Sequence, residues 1–293
     1  LRSPKHLNLS DVRRASIRRE LDWLRNVAGK YQIGALAARH VEALMARKAG
    51  PTAANTVKKN LSMLYNFAIK HDMAGQHHNP ARHADRRKEN PDGYHTWTEA
   101  EIAQFLAHHG PGTKARLAVL LILNTGAARQ DLVRLGWQNV KEGRISYRRH
   151  KTGVGGDYRI LDDLAVELRS IPQDQLLFLT HGKGRPYQPA TFGNWFRDQC
   201  SAAGLAHCSA HGLRKGLATL IAESGATELQ IMAVLAHSGP KEGATYVKKA
   251  NRGKLADQGL ALSEGAKTER NASNLVARLD KPHPQPTEQK AIK

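Results

Sequence analysis

The feature that most constrains the fold is an interruption. Residues Arg86 to His95 (RRKENPDGYH) are polar, contain both Pro and Gly, and show no hydrophobic period. Such a stretch forms neither a helix nor a strand, so the segments on either side must each bury their own apolar faces. Directly after it, Thr98-Glu99-Ala100-Glu101 has the pattern of a helix N-terminus, with Ile102, Phe105 and Leu106 as the inward face. The chain is therefore expected to form a helical domain over residues 1–88, a linker at 89–95, a second domain over 96–262 and a basic tail at 263–293. A length of 293 residues is enough for two cores.

Hydrophobic spacing fills in both bodies. Ser10 to Val27 places Val12, Ile17, Leu21 and Leu24 at helical intervals, with Arg13, Arg14, Arg18 and Arg19 between them. A helix near Ala38 carries Val41, Leu44 and Met45 and ends at Gly50-Pro51. Another opens at Thr52 and runs through Val57, Leu61, Leu64, Tyr65 and Ala68, with Lys58 and Lys59 on its polar side. His78-Asn79-Pro80 closes the bundle. In the second body a helix spans about Lys114 to Asn124. Arg144 to Leu161 alternates as strands do, around the loose tip Thr152-Gly153-Val154-Gly155-Gly156. From Pro189 the pattern is helical again. The fold class is mainly α with a small β-hairpin or short sheet.

A formal net charge of +19 points to a polyanionic partner, DNA or RNA first, although a ribosomal or membrane-surface protein would share it. No run of 18 apolar residues exists, which excludes a membrane-spanning helix. The two cysteines, Cys200 and Cys208, suit a reducing cytosol and exclude a disulfide scaffold. Cys200, His207, Cys208 and His211 match no usual zinc spacing, so no metal or other cofactor is expected. The histidine pairs 77/78 and 108/109 read as loop and helix-end residues. The chain begins at Leu1 rather than Met and has no signal peptide, and is read as a fragment that an earlier segment preceded.

Chemistry concentrates in three stretches of fixed order: Ser209-Ala210-His211-Gly212-Leu213-Arg214-Lys215, then Leu235-Ala236-His237-Ser238, then Thr245-Tyr246-Val247. His211 and Arg214 are three apart at a helix start and share a face. A second helix opens at Thr227, with Gln230 three later, and ends at His237. Tyr246 follows nine residues on. Upstream stands Thr125-Gly126-Ala127-Ala128-Arg129-Gln130-Asp131-Leu132. This ordered set resembles the tyrosine recombinase, or phage integrase, family, weakly over the first domain and strongly over the second.

The resemblance implies a two-domain architecture closing on duplex DNA as a C-clamp, with a helical, SAM-like core-binding domain first and the catalytic domain second. It implies Tyr246 as nucleophile, Arg214, His211 and His237 around the phosphate, and Lys151, on the hairpin, as the proton donor to the departing oxygen. The residue types suit the reaction. Guanidinium forks stabilise the charge that builds on phosphate oxygens, imidazoles manage protons near neutral pH, and a phenol with a pKa of about 10 needs cationic neighbours to attack. A phosphotyrosyl bond conserves the ester energy, so neither ATP nor a metal is required. Partners implied are double-stranded recombination sites, a homo-tetramer on DNA and accessory DNA-bending or directionality factors, in a bacterial, nucleoid-associated cytoplasm.

One departure stands out. Aligning Asp131 with the family's acidic residue puts Ala128 at the first catalytic arginine, and Arg129 one place on, a rotation of about 100° on a helix. Three readings follow: inactivation by evolution or engineering, which is preferred; Arg129 reaching the phosphate through a backbone shift; or a register one residue off. An inactive DNA-binding relative with an architectural or regulatory role is the alternative function. A type IB topoisomerase is a third, less well matched by size and spacing. Asp131 is expected to anchor nearby backbone or an arginine, and Lys215 and Ser238 to support the site or face solvent.

Overall fold

The computed structural model describes residues 3–74 and 78–239, together with residues 253, 256, 257, 259–261, 263 and 264. Tyr246 lies outside the described residues, as do His77 and most of the tail. The chain divides into two compact units, residues 1–93 and 94–293.

The first unit is helical: α1 (Pro4–Leu7), α2 (Asp11–Ala28), α3 (Ala38–Ala46) and α4 (Pro51–Lys70). Leu24, Val41, Leu44, Met45, Val57 and Leu61 form its core. Burying a side chain of this size contributes roughly 1.5–3 kcal/mol. Val12, in the first turn of α2, falls off the expected stripe and is exposed. Helix α4 begins at Pro51, one residue before Thr52, since proline at the first helical position gives up an N–H that would have had no helical partner. Buried Asn55 on α4 accepts from the Arg87 N–H and donates to Arg87 O and to the Glu89 carboxylate, so residues 87–89 belong to this unit. Lys58, expected on a polar face, donates to Ala84 O.

The second unit is built around α6 (Lys114–Thr125), which is buried on nearly every side. Helix α5 (Glu99–His108) precedes it and starts with the expected reciprocal cap between Thr98 and Glu101. The short α7 (Arg129–Leu132) follows. A three-stranded antiparallel sheet then forms in the order β1 (Val140–Lys141), β2 (Arg144–Arg148), β3 (Gly155–Arg159). Ile145, Tyr147 and Tyr158 point into the core, while Arg144, Ser146, Arg148 and Asp157 point out. The strand pattern stops at Arg159, short of Leu161. Asn124 donates to Arg159 O (3.0 Å) and accepts from Leu161 N (2.7 Å), using the groups a longer ladder would need. Asp162 and Asp163 then open α8 (Asp162–Leu168), where carboxylates favour a helix N-terminus.

The chain continues through a small hairpin, β4 (Thr180–His181) and β5 (Arg185–Pro186), to α9 (Pro189–Ala202), α10 (Ala210–Glu223) and α11 (Glu228–Leu235). Trp97, Phe105, Phe192 and Phe196 form an aromatic centre. His109 belongs to it rather than to a polar helix end: it is buried, packs on Phe105 and contacts Gln199 O (3.1 Å). Residues 94–97 lie directly on the backbone of α10. A Cβ at Gly212 would sit 2.1 Å from His95 O, and one at Gly216 2.7 Å from Trp97 O. The two glycines are what let extended chain and helix touch. No helix among the described residues is long and apolar enough to cross a membrane.

Candidate active site

Helix α6 ends in a left-handed glycine, Gly126 (φ 56°), whose N–H returns to Ile122 O. A Cβ there would lie 2.6 Å from Val234 O, so the bare glycine lets the end of α6 close against the end of α11. Thr125 locks the turn: its hydroxyl donates to Leu121 O (2.6 Å) and accepts from Ala127 N (3.2 Å). Ala128 is then extended, and Arg129 is the first residue of α7. The guanidinium of Arg129 lies over Gly193 of α9, where a Cβ would meet it at 2.3 Å.

Asp131, buried on α7, joins this turn to the hairpin. One carboxylate oxygen accepts from His150 N (2.8 Å), and the other lies 3.8 Å from Arg149 Nε. Arg149 Nη1 donates onward to Ala236 O (3.2 Å). Lys151 sits exposed in the β2–β3 turn. That turn is closed by Gly153 N to Arg149 O (2.7 Å) and Arg149 N to Val154 O (2.9 Å), so its base is fixed rather than loose.

His211 and Arg214 do share a face of α10, but at different depths. Arg214 is buried and donates from Nη2 to Leu235 O (2.7 Å). His211, in the first turn, keeps an exposed edge and packs edge-on against Tyr94 at 5.0 Å. Desolvation, then the charges of Arg214, Lys215 and Arg129, lower its pKa below the usual histidine value. The Arg129 charge is thus felt at His211. Lys215 donates to Tyr94 O (2.6 Å) and holds the packed segment beside it.

His237 follows α11 through Ala236, a left-handed residue (φ 46°), and its N–H returns to Met232 O (2.9 Å). Its side chain is buried. Two arginines, Arg149 and Arg214, thus grip the carbonyls at the end of α11. Tyr147 and Tyr158 lie close by, with hydroxyls donating to Thr125 O (3.3 Å) and Ala233 O (3.4 Å). Desolvation raises the pKa of both, so they are neutral structural phenols rather than nucleophiles.

The described residues bring Arg214, the His237 loop, Asp131 and the base of the Lys151 turn together, and place Arg129 within electrostatic range of His211. Cys200, His207, Cys208 and His211 do not assemble as one group. Sequence reasoning missed the role of Arg149. Its faint signal is a position between the hairpin's last paired residue and Lys151.

The phage integrase family profile matches residues 96–252, more than half of the chain. This chain belongs to the phage integrase family. The matched range of this integrase takes in Lys151, His211, Arg214, His237 and Tyr246. Comparison with curated proteins finds no match by sequence. Among solved structures, a lambda integrase dimer bound to a COC′ core site is 17% identical, with a TM-score of 0.69 over 84% of this chain and 91% of that one. The Tn1549 transposon integrase in complex with transposon right end DNA is 15% identical, with a TM-score of 0.68 over 87% of this chain and 95% of that one. A lambda integrase tetramer bound to a Holliday junction is 16% identical, with a TM-score of 0.69 over 82% of this chain and 72% of that one. At this identity the likeness carries the fold: mainly α, with small antiparallel sheets, as in tyrosine recombinases.

Proposed function

We propose that this integrase cuts and rejoins duplex DNA at specific sites through a 3′-phosphotyrosyl intermediate, with Tyr246 as nucleophile. The Tyr246 oxygen bonds to phosphorus as the P–O5′ bond breaks. His211 takes the phenol's proton, Lys151 supplies one to the leaving 5′ oxygen, and Arg214 holds the phosphate oxygens, with His237 as a further donor. A second DNA's 5′ hydroxyl then reverses the step. The neighbours' DNA-bound dimers and tetramer support duplex recombination sites as substrate and a homo-tetramer as the working assembly, with accessory DNA-bending factors as further partners. The net charge of +19 supplies attraction for the backbone.

The observation that carries this reading is the convergence of buried Arg214, the His237 loop, Asp131 and the base of the Lys151 turn at the end of α11. Arg129, whose guanidinium lies over Gly193, is the candidate second cation in place of the arginine absent at Ala128. The specific observation for the inactive DNA-binding relative is Ala128 itself. A DNA substrate that traps covalent complexes separates the two. The unaltered chain is expected to form phosphotyrosyl product, Arg129→Ala to lose about two orders of magnitude or more, and Ala128→Arg to add little. Covalent product only after Ala128→Arg would establish the inactive relative instead.

A further inference from the structure

Segment 94–97 carries a second cluster, centred on His95 and Glu101. His95 Nε2 lies 2.8 Å from Glu101 Oε1, and His207 Nε2 lies 2.7 Å from the same oxygen. The two rings meet edge to face at 4.6 Å. Buried Cys208 completes the group: one donor atom from each of the four residues lies within 4.8 Å of every other. The second carboxylate oxygen of Glu101 is held by the Thr98 N–H (2.7 Å) and hydroxyl (3.1 Å), which fixes the first towards the histidines. None of the four takes part in the proposed DNA chemistry.

We propose that His95, Glu101, His207 and Cys208 form a structural zinc site that staples segment 94–97 and α5 to the start of α10. Two imidazoles, a thiolate and one carboxylate oxygen make a four-donor set that suits zinc and disfavours magnesium or calcium, which prefer oxygen alone. A tetrahedral zinc at its usual bond lengths sets its ligand atoms about 3.4–3.6 Å apart. The hydrogen-bonded pairs therefore open by somewhat under an ångström, and the widest pair closes by somewhat over one. Both histidines sit at the surface, while Cys208 and Glu101 form the inner floor. Ligation needs each Nε2 bare, so the imidazole protons move to Nδ1, and Cys208 releases its proton to solvent. Glu101 Oε2 keeps its Thr98 partners, an outer contact of the kind that orients metal ligands. No C-x-x-C pattern announces this set, because only His207 and Cys208 are neighbours in sequence.

The test is a titration of the full chain with Co²⁺ as spectroscopic probe and Zn²⁺ as competitor. One equivalent of Co²⁺ is expected to give tetrahedral visible bands and a sulfur-to-metal charge-transfer band, both displaced by one equivalent of Zn²⁺. Cys208→Ser should abolish the charge-transfer band, while Cys200→Ser should keep it. His207→Ala, at an exposed position, should weaken binding at least tenfold. Absence of saturable one-equivalent binding overturns the proposal. So does binding that is unchanged in the His95→Ala/His207→Ala double variant, which would place the ion elsewhere in this histidine-rich chain. The readout is the spectrum of the metal, so it stands whether or not the chain cleaves DNA.

Discussion

Replacing Gly212 by alanine sets two effects against each other. In the first turn of α10, alanine is favoured over glycine by at most about 1 kcal/mol. The packed segment opposes it. An ideal Cβ at residue 212 lies 2.1 Å from His95 O, whereas a carbon and a carbonyl oxygen rest at about 3.3 Å or more. The backbone of His95 must therefore withdraw by about 1.2 Å. Three hydrogen bonds depend on its present place: Trp97 N to Gly212 O (3.4 Å), Trp97 Nε1 to Ser209 O (3.0 Å) and Lys215 Nζ to Tyr94 O (2.6 Å). At about 1 kcal/mol each, their loss outweighs the helix gain and leaves Gly212→Ala destabilised by about 2 kcal/mol. Gly216→Ala, whose Cβ meets Trp97 O at 2.7 Å, should cost about half as much. Urea unfolding in a Trp23→Phe background reads this directly, because Trp97, Trp137 and Trp195 then report on the second unit alone. The Gly212→Ala midpoint should fall by about 1 M. An unchanged or raised midpoint would refute the idea that close backbone approach dictates glycine here.

Lys151 is exposed in its turn, so Lys151→Ala should change unfolding free energy by no more than about 0.5 kcal/mol while slowing DNA cleavage about 100-fold or more. A substrate with sulfur in place of the 5′ bridging oxygen, a leaving group that needs no proton, should restore most of the rate; equal defects on both substrates would remove Lys151 from the proton-donor role. Burial works against the charge of Glu101, yet hydrogen bonds from His95, Thr98 and His207 prevail and hold its pKa at about 2 rather than 4.5. The folded value is depressed, so this stabilisation is fully present above about pH 4.5 and is lost as pH falls towards 2. Acid titrations of stability should therefore be flatter in that window for Glu101→Gln, and parallel curves would show that the carboxylate is not the responsible group.

Local patterns were readable wherever one segment decides its own conformation. The caps at Thr98 and Thr227, the α6 helix, the hairpin alternation and the shared face of His211 and Arg214 are set by residues three or four apart, and all appear as expected. Outcomes set by distant partners were hidden. Val12 has a helical apolar position but no neighbour to cover it. His109 looks polar and is buried because Phe105 and Gln199 happen to enclose it. The strand pattern ran past Arg159 because the side chain that ends it, Asn124, lies 35 residues upstream. At the site, the residue types were legible, but the grip of Arg149 on α11 was not, since its partner carbonyl is 87 residues away. The gathering of His95, His207 and Cys208 around Glu101 was invisible for the same reason.

The two-sided hold of Asp131 has a consequence for how this family's first arginine can be replaced. Because its carboxylate is committed to the His150 N–H and faces Arg149, α7 cannot turn by one residue to carry Arg129 into the place of Ala128. Such a turn would leave a buried carboxylate without its donor and release the hairpin that presents Lys151. An arginine at 129 therefore acts from over Gly193 or not at all. A lineage moving its guanidinium between the two positions would have to pass through a chain with both arginines or with neither.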